Sequence, residues 1–146
     1  MSTVEKTALV PYSAAQMFAL VDDIDRYPEF LPWCSDASVD RRSDATIQAT
    51  LHIDYRGIKQ SFTTENSFDK NVEIHMRLVE GPFSRLDGLW RFQTLSASAC
   101  KVSLTLDYGF NNAILETAVG PVFGVIANTM IERFIARADA LHGVPQ

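Results

Sequence analysis

The feature that most constrains the fold is a run of hydrophobic alternation in the middle of the chain. From Ala45 to Phe110, apolar and polar residues alternate with a period of two, in segments separated by short turns at Gly57 and at 69–71. This period is typical of strands with one buried and one solvent-facing side, and short turns between successive strands favour an antiparallel meander. With one further strand near the start of the chain, the predicted strands are 3–10, 45–55, 58–68, 72–78, 88–95 and 100–110.

Two short helices are predicted between the first strand and the meander. Ser13 followed by Gln16 three residues later is a capping box, which opens a helix over the apolar residues that follow. The segment 25–32 is bounded by prolines and has room only for a short helix or two turns.

The end of the chain has the spacing of one long helix. It runs from about 112 to 142, with Asn111 or Asn112 as its N-cap and Gly143 as its stop. Gly120-Pro121 predicts a kink or a restart within it. The residues expected to face the sheet are Phe123, Ile126, Ala127, Met130, Phe134, Ala138 and Leu141. Further apolar residues widen this stripe beyond the roughly 100° that one core needs, so we expect a second partner for the helix.

These elements together predict an α+β fold. A sheet with one apolar face and a long apolar helix must pack against each other, so we place the helix across the concave side of a curved antiparallel sheet of about six or seven strands. The length of 146 residues and the 47% hydrophobic content fit a single domain, 1–146.

Charge and cysteine content exclude several classes of function. Thirteen Lys and Arg against eighteen Asp and Glu give a net charge of -5, which argues against a general DNA- or RNA-binding protein. Cys34 and Cys100 lie far apart without metal-ligand spacing, so we expect buried free thiols and no metal site. No signal sequence or membrane-spanning stretch is expected, which makes the cytoplasm the predicted compartment.

The sequence offers little for catalysis. His52 and His75 fall in the polar phase of their strands, and His142 falls in the last helical turn. No nucleophile elbow, phosphate loop or metalloprotease motif occurs. We therefore predict no catalytic residue, no metal, no cofactor and no enzymatic activity.

A ligand cavity is the more informative hypothesis. The inward phase of the strands places Ala49, Gln60, Thr64 and Asn66 among large apolar residues. Polar groups on an apolar wall are typical of a small-molecule pocket, although internal hydrogen bonds explain them nearly as well. We expect a sizeable cavity between the sheet and the long helix.

Four ordered motifs resemble a known family. They are Tyr27-Pro-Glu-Phe-Leu-Pro-Trp-Cys34, Gly81-Pro-Phe83 with Leu86-x-Gly88-x-Trp90-x-Phe92, Leu106-Asp-Tyr108-x-Phe110-x-Asn112, and Gly120-x-x-Phe123 with Met130, Phe134 and Arg137-Ala138. Together they resemble the coenzyme Q-binding START-domain family of the polyketide cyclase-like superfamily, which includes bacterial ribosome association toxins. The resemblance implies the helix-grip fold.

The resemblance implies two different functions. In the first, the protein is a non-catalytic chaperone that holds ubiquinone or a related polyprenyl lipid between sheet and helix and supports respiratory electron transport, with peripheral contact to the inner membrane left open. The residues expected to bind the ligand are Phe62, Met76, Trp90, Tyr108, Phe123, Ala127, Met130 and Phe134, with Gln60 as a polar contact and Trp33 and Phe83 at the cavity entrance.

In the second, the protein is a ribosome association toxin that binds the large ribosomal subunit and blocks subunit joining. Six basic residues are candidates for a local basic face, although solvated scatter is the commoner explanation: Arg26, Arg41, Arg42, Lys59, Arg77 and Arg91. A cyclase or aromatase activity is a third alternative that rests on fold analogy alone.

Overall fold

The computed structural model describes residues 2–143, which form one antiparallel sheet and three helical segments. In chain order the elements are β1 (Ser2–Val10), α1 (Ala14–Asp22), a 3₁₀ helix (Ile24–Glu29), β2 (Cys34–Arg42), β3 (Thr46–Tyr55), β4 (Ile58–Asp69), β5 (Glu73–Glu80), β6 (Phe83–Ser96), β7 (Ala99–Phe110) and α2 (Ala113–His142). The strand order in the sheet is β1-β7-β6-β5-β4-β3-β2. The predicted α+β fold with a long C-terminal helix is confirmed.

The sheet is a meander whose first strand is added at the far edge. Each strand from β2 to β7 pairs with its sequence neighbour, whereas β1 pairs with β7, in a register that places Ser2 opposite Tyr108. The antiparallel pairing of β1 therefore joins the first strand to the last and defines the two edges of the sheet as β1 and β2.

The sequence pattern missed β2 and shortened β6. Cys34–Arg42 reads CSDASVDRR, has no clean alternation, and contains two register shifts against β3 that interrupt the period of two. β6 begins at Phe83 rather than at Gly88, so most of the sequence motif from Gly81 to Phe92 is strand. Only Gly81 and Pro82 remain as its turn, and a Cβ at Gly81 would lie 2.7 Å from Phe62 Cβ.

The first helix closes one end of the sheet from its inner side. Its predicted capping box is present, since the Ser13 hydroxyl accepts from the Gln16 N–H and the Gln16 side chain accepts from the Ser13 N–H. The buried face of α1 includes Phe18, whose ring packs edge-on against Phe68 and Phe92 at centroid distances of 5.9 and 5.7 Å. These two aromatic contacts complete the hydrophobic core at that end of the sheet.

The long helix packs on the inner face of the sheet without interruption at Pro121. Asn112 is the N-cap, with its side-chain Oδ1 accepting from the Leu115 N–H at 2.9 Å, and the helix continues through the predicted restart to His142. Its buried residues are Val119, Val122, Phe123, Ile126, Ala127, Ile131, Phe134 and Ala138. Leu141 is 52% exposed, so its predicted contact with the sheet is wrong, because the buried stripe ends at Ala138.

By length and hydropathy α2 would be able to cross a membrane, which corrects the expectation that no segment would pass that test. In this fold α2 is the core helix that packs on the inner face of the sheet. Its outward side between Ile114 and Val125 is partly apolar and exposed.

Candidate functional site

A cavity lies between the inner face of the sheet and α2. Its volume is about 50 Å³, and strands, the 3₁₀ helix and α2 all contribute to its wall. The lining residues are Ile24, Tyr27, Trp33, Ala49, Leu51, Phe62, Thr64, Asn66, Met76, Leu86, Trp90, Leu104, Leu106, Phe123, Ile126, Met130 and Phe134.

The predicted ligand residues divide into two groups. Phe62, Met76, Trp90, Phe123, Met130 and Phe134 line the cavity. Tyr108 and Ala127 are buried in the surrounding core, and Gln60 is half-buried on β4; none of these three belongs to the lining.

The two residues predicted at the entrance lie deeper than expected. Trp33 is 3% exposed and belongs to the cavity wall itself. Phe83 is also 3% exposed and stacks on Phe110 behind the wall, at a centroid distance of 5.1 Å. Trp33 and Phe83 therefore belong to the core and not to an exposed rim.

Aromatic rings explain why the cavity is smaller than the sequence suggested. Phe134 meets Tyr27, Phe30 and Trp90 edge-on at 5.4, 5.1 and 5.2 Å between centroids. Phe123 meets Tyr108 at 4.7 Å in the same manner. Such contacts fill space at near-crystalline density, and the cavity that remains between the rings measures about 50 Å³.

At Gly88 the cavity wall depends on the absence of a side chain. A Cβ at Gly88 on β6 would lie 2.5 Å from Met76 Cε and 2.9 Å from Leu106 Cδ1. The end of the Met76 side chain therefore occupies the notch that Gly88 leaves. Met76 and Met130 are both half-buried, and methionine side chains are flexible enough to change the shape of a cavity.

Polar groups in the wall are few, and none is charged. The Thr64 hydroxyl donates to Asn66 Oδ1 at 2.9 Å. The Tyr27 hydroxyl donates to the Val21 carbonyl, and burial raises the pKa of Tyr27 far above its ordinary value. The Trp33 Nε1–H is buried and has no acceptor among residues 2–143. The inward polar phase of β4 predicted Thr64 and Asn66, whereas the Trp33 donor was missed.

The histidines lie outside the cavity. His75 Nε2 is 2.9 Å from Asp87 Oδ1 on the outer face of the sheet, and His52 pairs with the Ser61 hydroxyl on the same face. Within residues 2–143 no group of three or more His, Cys, Asp or Glu side chains could hold a metal ion. The cavity therefore offers apolar contact and hydrogen bonding, with no acid–base pair in its wall.

The predicted basic residues do not gather into one patch. Arg26, Arg42 and Arg91 are each within ion-pair distance of a carboxylate. Arg77 lies opposite Glu65 in the register of β4 and β5. Glu65 is six residues along β4 from Lys59, a separation of about 20 Å at 3.4 Å per residue.

A curved antiparallel sheet closed by a long helix around an apolar cavity defines the helix-grip class of ligand-binding domains. A family model described as polyketide cyclase/dehydrase and lipid transport matches residues 10–135. The chain belongs to this family, as the four sequence motifs indicated.

Within the family, the chain is similar to proteins named ribosome association toxin RatA. It is 41% identical to the one from Pseudomonas aeruginosa, over 98% of this chain and 100% of the relative. Identity to the one from Escherichia coli is 40%, over 97% and 90%. A mitochondrial coenzyme Q-binding protein, COQ10, from Dictyostelium discoideum is 26% identical over 97% and 71%.

Solved structures support the fold. A START superfamily protein from Mycobacterium smegmatis has a TM-score of 0.80 at 20% identity and covers 95% of this chain and 98% of its own. The Zhui aromatase/cyclase from Streptomyces has a TM-score of 0.77 at 22% identity, over 98% and 99%.

Proposed function

We propose that this protein associates with the ribosome, binding the large subunit and opposing subunit joining. One observation carries the proposal: the likeness to the proteins named ribosome association toxin from Pseudomonas aeruginosa and Escherichia coli extends over nearly the whole chain, at 41% and 40% identity. The relative named for coenzyme Q binding is more distant, at 26%. This difference favours the second of the two functions that the sequence motifs suggested. A ribosome-binding role in turn predicts that the protein acts in the cytoplasm.

Binding to an RNA-rich particle must rest on local surface, because the net charge of the chain is -5. Arg41 is a candidate contact: it lies exposed on the edge strand β2 and forms no ion pair with a described residue. Arg133 on α2 is also exposed and also lacks an ion pair within 2–143, which makes it a control on a different element.

The test is sedimentation with purified ribosomal subunits through sucrose gradients. We expect the protein to migrate with the large subunit and, in excess, to reduce the peak of assembled ribosomes. Arg41→Glu should weaken this association in a salt-dependent manner, whereas Arg133→Glu should not. Absence of the protein from the large-subunit fraction, with an unchanged peak of assembled ribosomes, would refute the proposal.

A second function is favoured by the cavity: binding of ubiquinone or another hydrophobic small molecule. Its wall is mostly apolar, and each 100 Å² of apolar ligand surface buried there contributes about 2.5 kcal/mol. Pockets for drug-sized ligands measure about 300–1,000 Å³, whereas this cavity measures about 50 Å³. Ligand entry therefore requires the cavity to widen, and the half-buried Met76 and Met130 are the side chains best suited to move. If the cavity holds a polyprenyl lipid, we expect the protein also to contact the inner membrane as a peripheral protein.

Native mass spectrometry with organic extraction tests this second function. We expect co-purified prenyl lipid with the natural sequence and none with Phe123→Asp, which places a charge in the wall. Val125→Asp, on the same helix at a site that is 37% exposed, is the control. Because Phe123→Asp also strains the core, Met76→Phe provides a milder way to fill the cavity. Retention of lipid by both wall variants would show that the ligand binds elsewhere.

A further inference from the structure

The β3–β4 hairpin extends past the strands on either side of it. β4 pairs with β5 from Thr63 onward, where it lies opposite Glu80, so Ile58 lies five residues beyond this pairing, about 17 Å at 3.4 Å per residue. On the other side, β2 pairs with β3 only as far as Ile53. The end of the hairpin is therefore a two-stranded ribbon, which presents the turn between Tyr55 and Ile58 to solvent.

This turn holds an arginine in an unfavourable backbone conformation. Arg56 and Gly57 have φ values of 51° and 81°, the pattern of a type I′ turn, in which Asn-Gly and Asp-Gly are preferred. The left-handed region is costly for a residue with a Cβ, and Asn or Asp tolerates it better than arginine. Within residues 2–143 the other non-glycine residue with positive φ is Asn71, which is of the tolerant type. The needs of the turn therefore do not explain an arginine at position 56, and residues strained in this way cluster at functional sites.

The Arg56 side chain is held in place but has no counter-ion. Its guanidinium carbon lies 5.0 Å from the centroid of the Tyr55 ring, and Tyr55 is half-buried against the core. Stacking on an aromatic ring restricts a guanidinium and leaves the N–H groups at its edge able to donate. Arg56 is exposed and forms no ion pair with a described residue, whereas Lys59 lies opposite Asp54 in the hairpin.

We propose that Arg56, at the tip of the β3–β4 hairpin, binds phosphate groups of the RNA of the large ribosomal subunit. A guanidinium matches a phosphate both in charge and in the geometry of two parallel hydrogen bonds, and a side chain already held in place loses less entropy on binding. The inference rests on the ribosome association proposed above and names a contact for it. This contact is separate from Arg41, which lies opposite Gln48, eight residues along the chain from Arg56 and therefore about 27 Å away at 3.4 Å per residue.

The test is the affinity of the protein for purified large subunits, measured by co-sedimentation at several salt concentrations. Arg56→Asn removes the charge and places a residue at the turn that suits its backbone. We expect this variant to bind about five- to twentyfold more weakly. The slope of log affinity against log salt concentration should fall in magnitude by about 0.7–0.9. Arg56→Lys keeps the charge and should keep most of that slope.

A matched control removes the same charge at the opposite end of the sheet. Lys70 is exposed in the β4–β5 turn and also lacks an ion pair within 2–143, so Lys70→Asn should leave both the affinity and the salt slope unchanged. Thermal unfolding separates binding from folding. The Tm of Arg56→Asn should not fall, because the more favourable turn offsets the lost contact with Tyr55. A lower Tm with unchanged affinity would show that Arg56 has a structural role alone.

Directed cleavage identifies what the tip of the hairpin contacts. An iron chelate that generates hydroxyl radicals is attached to Lys59→Cys, near the tip, and to Lys70→Cys for comparison; the natural cysteines, Cys34 and Cys100, are buried. We expect the chelate at position 59 to cleave the large-subunit RNA at a small set of neighbouring nucleotides that the chelate at position 70 does not cleave. Absence of this cleavage in subunits that carry the protein would show that the tip does not contact RNA, and would overturn the inference.

The outcomes separate this inference from the proposed function. If the natural sequence binds the large subunit and Arg56→Asn binds with the affinity and salt slope of Lys70→Asn, the inference is overturned while ribosome association stands. If the natural sequence does not bind the large subunit, the inference and the proposed function fail together.

Discussion

Gly88 offers a direct test of how the cavity wall is built, because Met76 occupies the space of the side chain that Gly88 lacks. A methyl group there would lie 2.5 Å from Met76 Cε and 2.9 Å from Leu106 Cδ1. Non-bonded carbons pack at about 3.5–4.0 Å, so both neighbours must move by roughly 1 Å. We predict that Gly88→Ala drives the Met76 side chain into the cavity and fills it.

The expected change in the free energy of unfolding has two parts of opposite sign. Overpacking a core costs about 1–3 kcal/mol. Replacing glycine with alanine in a strand favours folding by about 0.5–1 kcal/mol. The net loss should be about 0.5–2 kcal/mol, which corresponds to a fall in Tm of roughly 2–8 °C.

The assay is urea unfolding followed by tryptophan fluorescence, since Trp33 and Trp90 are both buried in the cavity wall. Gly124→Ala on α2 is the matched control, because its Cβ would meet only the Tyr108 hydroxyl, at 3.9 Å. That variant should be as stable as the natural sequence or more stable by about 0.5–1 kcal/mol.

Combining Gly88→Ala with Met76→Ala completes a double-mutant cycle. Removal of the Met76 side chain should relieve the clash and give a favourable coupling of about 0.5–3 kcal/mol. The reasoning would be refuted if Gly88→Ala were as stable as the natural sequence and showed no coupling to position 76.

Three further predictions concern charge, thiols and a helix cap. The hydrogen bond from Arg137 lowers the pKa of Glu29, so this carboxylate stabilises the fold above its unfolded pKa and loses that effect as the pH falls through its folded pKa. Glu29→Gln should accordingly lower the urea midpoint at neutral pH and change it little in acid. Burial raises the pKa of Cys34 to about 11, and Cys100 is also buried, so iodoacetamide should label both thiols only after unfolding, as mass spectrometry would show. Asn112→Ala removes the N-cap of α2 and should cost about 1 kcal/mol in the same urea assay; a change within error would mean that packing alone sets where the helix begins.

Sequence periodicity predicted the strands and the helix whose apolar residues recur at a regular spacing. The alternation of β3, β4 and β7 and the spacing of α2 both survive in the structure because each element buries one continuous stripe. β2 was missed because bulges break its period and its apolar residues are few. The burial of Leu141 was predicted wrongly because helical spacing shows only which residues share one side of the helix. It does not show where along the helix the sheet stops covering that side.

The candidate site was predictable where it follows strand phase. Phe62, Thr64 and Asn66 alternate along β4 and all reach the cavity. The contribution of Tyr27 and Trp33 depends on how the 3₁₀ helix and the residues after it fold under the sheet, which no local pattern determines. The small volume likewise depends on how rings from separate elements meet, and this is a property of the packed core.

The pairing of β1 with β7 affects how the chain reaches its fold. Ser2 finds its partner Tyr108 only after more than a hundred residues have been synthesised, which takes about 5–20 s at translation rates of about 5–20 residues per second. Throughout that time the β1 segment is an unpaired strand with exposed backbone donors and acceptors, and such edges promote association between chains. The high sequence separation of this contact also predicts slow refolding. We therefore expect β1 to join the sheet only after β7 has been synthesised.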